Sequence, residues 1–162
     1  MMNPLLLGFC LGLIASLIGG LLAARLFLPR LMLPETRSAH GLDETVRRLG
    51  QAAQAAGWVV QSIVELEKSI EKNGGGLVLP VRLVNICQAK HAARIMRDDS
   101  ARHASVLMPC TLSVYQKGDG SIWVGAMNPG LLAPFFGGVV AEVMGRAVAR
   151  EQASFIDIIR RA

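Results

Sequence analysis

The sequence predicts an α+β chain: one N-terminal transmembrane helix, then a small domain of helices packed on a sheet. Three observations predict it. From Leu5 to Ala24 no residue is charged, a run of about 20 residues, which is the length of a helix that crosses a bilayer core. Beyond that run, stretches with helical spacing of apolar residues alternate with short stretches rich in β-branched and aromatic residues. Among the latter, "TLSVYQKGDGSIWVGAM", residues 111–127, reads as two strands joined by a tight turn.

The N-terminal segment comes first. With 162 residues the chain suffices for one domain plus an anchor. Its hydrophobic fraction of 52% and mean hydropathy of +0.41 are high because apolar residues concentrate in "PLLLGFCLGLIASLIGGLLAARLFLPR". A cleaved secretory leader begins with basic residues and has an apolar core of only about 7–15 residues. Met1-Met2-Asn3-Pro4 carries no Lys or Arg, and the apolar run is longer, so the segment reads as a retained anchor over residues 1–28. Arg25, Arg30 and Arg37 follow the run and nothing basic precedes it except the α-amine. The positive-inside rule then places a single-pass protein in the cell membrane with its C-terminal domain in the cytoplasm.

Within the span, Gly8, Gly12, Ser16, Gly20 and Ala24 recur every four residues. On a helix they form one stripe of small side chains, where a second backbone can approach closely, and the expected partner is another copy of this chain. Cys10 lies off the stripe and is expected to face lipid or a neighbour as a small apolar residue.

Residues 29–40, "PRLMLPETRSAH", contain two prolines and read as a linker or a short first strand. The domain proper spans residues 41–162. "GLDETVRRLGQAAQAAG" reads as a helix capped by Asp43, with Glu44 in its first turn and Gly57 at its stop. Leu42, Val46, Leu49, Ala53 and Ala56 share its apolar face. "WVVQSIVEL" reads as a strand, and "EKSIEKNGGG" as a polar helical turn ending in a glycine loop. "LVLPVRLVNIC" reads as a central strand buried on both faces over part of its length. "QAKHAARIMRDD" reads as a helix with Ala92, Ile95 and Met96 inward.

In the hairpin, Leu112 and Val114 on one arm and Ile122, Val124 and Ala126 on the other point the same way, around Asp119-Gly120. From Pro129 onward Leu131-Leu132, Phe135-Phe136, Val139-Val140 and Val143-Met144 recur every four residues, a helical pattern interrupted by Gly137-Gly138. That tail is expected to pack on the sheet or across a dimer, or to rest on the membrane surface.

The net charge of +5 and pI near 9.6 do not indicate nucleic acid. The basic residues are scattered among acids, aromatics are only 5% of the chain, and no base-stacking motif is present. An anionic cytoplasmic leaflet accounts for the excess more simply.

Chemistry-bearing residues are few. Cys87 ends a strand, His91 follows near a helix start, and Cys110 opens another strand. If those strands are neighbours, both thiols and the imidazole meet at one edge of the sheet. Such a cluster would suit a reactive thiol, a sulfur carrier, or a soft ligand set for a metal or haem, the helix end favouring thiolate. The alternative is that both cysteines are small core side chains, reduced in the cytoplasm. Three cysteines, one of them in the span, make no disulfide framework, and C-x-x-x-H is not a zinc signature, so no metal is assigned. Asp98-Asp99 and Glu65/Glu67 read as solvated carboxylates, His103 as a solvent-facing loop residue, and His40 as part of the linker. No phosphate loop, G-x-S-x-G elbow or H-E-x-x-H occurs. A binding or assembly module is therefore expected before an enzyme.

"LDETVRRL", "GWVV", "LPVRLVNIC", "MPCTLSVY", "GDGSIWVGAMNP" and the glycine-bearing C-terminal segment, in that order, resemble the domain-of-unknown-function 302 family over roughly residues 41–160. The resemblance implies a two-layer α+β domain with helices on a mainly antiparallel sheet, a tendency to dimerise, and in several members an N-terminal membrane segment. Cys110 in Met108-Pro109-Cys110 keeps the family pattern, whereas Gln88-Ala89 follows Cys87 where the family commonly has Asn-Pro. The resemblance implies no particular activity, and no cofactor follows from it.

Overall fold

A computed structural model describes residues 4–160; the side chains of residues 4–7 and of Cys10 lie outside the described set, and with them the expectation for Cys10. The chain divides into two compact units between Met32 and Leu33.

The first unit is one helix, α1 (Pro4–Met32). Its stretch Leu11–Met32 has a mean hydropathy of 2.1 and none of it is buried, so it is long and apolar enough to cross a bilayer. Residues 29–32, expected in the linker, are helical. Pro29 sits in the last turns, where its missing N–H removes a single intrahelical bond. Gly8, Gly12, Ser16, Gly20 and Ala24 are all exposed, and a Cβ added at Gly8, Gly12 or Gly20 would meet nothing within 4 Å.

The second unit is two-layered. Its elements run β1 (Glu35–Arg37), α2 (Leu42–Ala55), β2 (Val59–Glu65), α3 (Leu66–Lys72), β3 (Val81–Cys87) and α4 (Ala89–Met96). A 3-10 helix over Asp99–Leu107 leads into the hairpin β4 (Cys110–Gln116) and β5 (Ile122–Ala126). A short α5 (Pro129–Leu132) and a 3-10 turn precede α6 (Gly138–Glu142) and α7 (Ala149–Ile158), which are joined by a π-helical segment, Val143–Val148.

The five strands pair antiparallel throughout, in the order β1-β5-β4-β3-β2. Alternation sends Val84 and Ile86, Leu112 and Val114, and Val124 and Ala126 to one face, where all six are buried. The helices cover that face with Val46, Leu49, Ala53, Ile95, Val148, Phe155 and Ile159. β3 is an interior strand, but only this face of it is buried. Its other face carries a polar row, in which Thr111 Oγ1 donates to Asn85 Oδ1 (2.7 Å) and Asn85 Nδ2 to Ser62 Oγ (2.9 Å). The expectation of burial on both faces is thus corrected: Asn85 in the centre needs partners that an apolar layer cannot supply.

Three other local readings change. Gly41, not Asp43, is the N-cap of α2; Asp43 lies inside the first turn, and Thr45 Oγ1 bonds Gly41 O at 2.8 Å. Beside it, hydrogen bonds from Arg47 and Arg48 hold the exposed Glu44 carboxyl down at about 2. Glu67 is not merely solvated, because it grips Arg82 across the α3–β3 junction, and both side chains are only 14% exposed. The tail is broken where Gly137-Gly138 was expected to interrupt it, at Gly137 with φ +66°, but it divides further, into α, 3-10 and π pieces. The hairpin loop closes with Gly120 N–H on Lys117 O (2.9 Å) and Gly120 at φ +81°, a three-residue turn.

Candidate functional site

β3 and β4 are neighbours, with Ile86 opposite Cys110. That pairing, and the helix that follows Cys87, place Cys87, His91 and Cys110 on the wall of one small cavity of about 20 Å³, together with Trp58, Met108 and Met144. Gln88 caps α4 by accepting Lys90 N–H (2.6 Å), which aims the first turn and its His91 at the C-terminal helix. There His91 Nε2 lies 3.1 Å from Glu151 Oε1. Trp58 Nε1 donates to the other oxygen of the same carboxylate at 2.5 Å. The Trp58 ring is edge-on to both His91 (6.1 Å) and Phe155 (5.6 Å).

Burial, with the nearby Cys87 second, pushes the Cys110 thiol up to about 11. A thiol so placed stays protonated at neutral pH, the reverse of an activated nucleophile. Among the described residues no three His, Cys, Asp or Glu side chains are grouped to hold a metal ion.

A testable consequence follows for pH. The Cys110 proton is bound more tightly in the folded state than in the unfolded one, so the stability this adds is complete below about 9 and lost as pH rises towards 11. Urea unfolding at pH 8 and 11 is expected to show a fall of roughly 2 kcal/mol at high pH, much of which disappears in Cys110→Ala. An unchanged alkaline slope in that variant would assign the loss elsewhere.

On the other side of Cys110 lies a larger, half-open pocket of about 200 Å³. Val106, Leu107, Pro109, Thr111, Met127, Pro129, Met144 and Gln152 complete its wall. Elements from three parts of the chain shape it: the start of β4, the end of β5, and the π-helical segment that presents Met144. Gln152 is 8% exposed and donates from Nε2 to Met127 O (2.8 Å), tying α7 to the end of β5. Cys110 and Met144 line both spaces.

His103 is exposed, on the 3-10 helix, while His40 is half-buried, its Nε2 enclosed without a hydrogen-bond partner. Sequence reasoning missed Trp58, Glu151 and Gln152. Glu151 had a signal, standing three residues after Val148 and four before Phe155 on an otherwise apolar helical face.

A model of the family "Domain of unknown function DUF302" matches residues 35–159. The chain belongs to the DUF302 family. Among solved structures, the crystal structure of an uncharacterized conserved DUF302 protein from Bacillus stearothermophilus superposes with a TM-score of 0.71 at 21% identity. The match covers 80% of this chain and 98% of that one. At that identity the likeness carries the fold of the DUF302 domain and nothing of its chemistry. No curated protein matches the chain. The family match begins at Glu35 and leaves α1 outside it, so the apolar helix is an addition to the DUF302 unit.

Proposed function

We propose that this chain is a single-pass membrane protein whose DUF302 domain binds a small ligand and assembles with a second copy. The observation that carries the binding reading is the half-open pocket of about 200 Å³ beside Cys110. Its wall is mostly apolar, with Gln152 as its polar side chain, the pattern of a small-molecule site. Its size suits a ligand of fragment dimensions.

The exposed apolar length of α1 supports the anchor. Arg25, Arg30 and Arg37 on its C-terminal side support a cytoplasmic domain. The uncovered stripe Gly8, Gly12, Ser16, Gly20 and Ala24 supports helix pairing. Thiol, sulfur-transfer or haem and metal chemistry at Cys87, Cys110 and His91 is the weaker reading, because the Cys110 thiol is held protonated. Cys110 is instead a neutral, polarisable part of the pocket wall.

Fragment screening by NMR on the full chain tests this. Fragments binding in the millimolar range are expected to shift the signals of Leu107, Met127 and Gln152, and Leu107→Trp is expected to weaken them at least tenfold by filling the pocket. A screen in which no fragment perturbs these residues, or in which Leu107→Trp binds as well as the parent, overturns the reading.

A further inference from the structure

One apolar patch lies outside the core of the domain, with Val106 at the rim of that pocket as one of its members. Phe135 and Val106 are each 83% exposed and Phe136 46%. The His103 ring lies 6.5 Å from that of Phe136. Residues three apart eclipse on a 3-10 helix, so Val106 shares the side of His103, one turn further on. Gly137 and Gly138, at φ +66° and +50°, reverse the chain directly after Phe136 and leave the two rings on a projecting turn. Single exposed apolar side chains are ordinary, whereas Phe135 and Phe136 on one turn, with Val106 on the helix whose His103 meets it, make a patch.

The neighbouring helical elements carry exposed cations. Arg94, Arg97, Arg102 and Arg146 are exposed. Arg94 and Arg102 pair with Glu142 and Asp99, while Arg97 and Arg146 make no ion pair among the described residues. Arg146 and Pro134 share one shallow groove.

We propose that this turn is a second membrane contact. Phe135, Phe136 and Val106 enter the boundary between headgroups and acyl chains of an anionic bilayer, and Arg97 and Arg146 face the lipid phosphates. The inference rests on the anchor reading above. Area decides for lipid over a protein partner. Three side chains expose a few hundred Å², well short of the roughly 800 Å² per partner in a stable complex. A domain already tethered to a bilayer needs no such area, because tethering supplies the effective concentration.

The test uses the full chain in nanodiscs of phosphatidylcholine and phosphatidylglycerol, with and without dibrominated acyl chains. Phe135→Trp and Val106→Trp place probes at exposed positions, and Gln54→Trp on the exposed side of α2 is the solvent control. After subtraction of the Trp58 and Trp123 background, brominated lipid is expected to quench both patch probes at least twofold and leave the control unchanged. A chain retained in the discs with unquenched patch probes overturns the contact alone. A chain that leaves the discs overturns the anchor and the contact together. Blue-shifted but unquenched emission at position 135 assigns the patch to a protein surface and also overturns the proposal.

Discussion

Phe155→Ala is expected to destabilise the domain by about 3–5 kcal/mol, the range for deleting a large aromatic side chain from a core that relaxes only partly. Phe155 is 1% exposed and meets the Trp58 ring edge-on at 5.6 Å. Its removal acts twice, by opening a cavity beneath α7 and by releasing the ring whose N–H reaches Glu151. Urea unfolding of the detergent-solubilised chain should show a lower midpoint at constant slope, with red-shifted emission from Trp58 in the native baseline. A loss below about 1 kcal/mol would mean that α7 does not close this core.

The second large effect belongs to Arg82. Its guanidinium is shared by Glu67 and Glu65, the latter at 3.3 Å, and the Arg82 and Glu67 side chains are both 14% exposed. Glu67 Oε2 also accepts Val81 N–H at 3.3 Å, so the cluster pins α3 to the start of β3. Arg82→Ala leaves Glu67 without its cation, while Glu65 keeps Lys68, and is expected to cost about 2–4 kcal/mol, since breaking an enclosed pair is worse than never having had it. The double variant Arg82→Ala/Glu67→Ala is expected to recover part of that loss. Strictly additive losses in the cycle would show that the two side chains are uncoupled.

The sequence made some of this legible for definite reasons. The hairpin could be read because Leu112, Val114, Val124 and Ala126 alternate in phase around Asp119-Gly120. The helix α2 could be read because Val46, Leu49 and Ala53 recur at its own period. The cap was misread because Asp43 is the first acid in sight, while the bond that counts runs from Thr45 inside the helix to Gly41. The break at Gly137-Gly138 was legible, but a four-residue recurrence weighs Phe135-Phe136 equally with Val139-Val140, and only the geometry at Gly137 shows that one pair leaves the core. The cysteine pair hung on whether β3 and β4 are neighbours, a question of tertiary pairing that no local pattern answers. Trp58 and Glu151 stand 93 residues apart, beyond the reach of any periodicity.

One consequence of the strand order concerns time. β1 closes the sheet only against β5, Glu35 facing Gly125, and the next residues are held by bonds from Ser38 N–H to Ile122 O and Ala39 N–H to Ile159 O. The segment just after the apolar helix therefore has no place to dock until the ribosome has made nearly the whole polypeptide. At about 5–20 residues per second, several seconds pass between the synthesis of α1 and the appearance of the strand on which β1 docks. On the proposed anchor reading, insertion would be separated from folding by the connectivity of the sheet itself, and the stretch that follows α1 would be among the last to be secured.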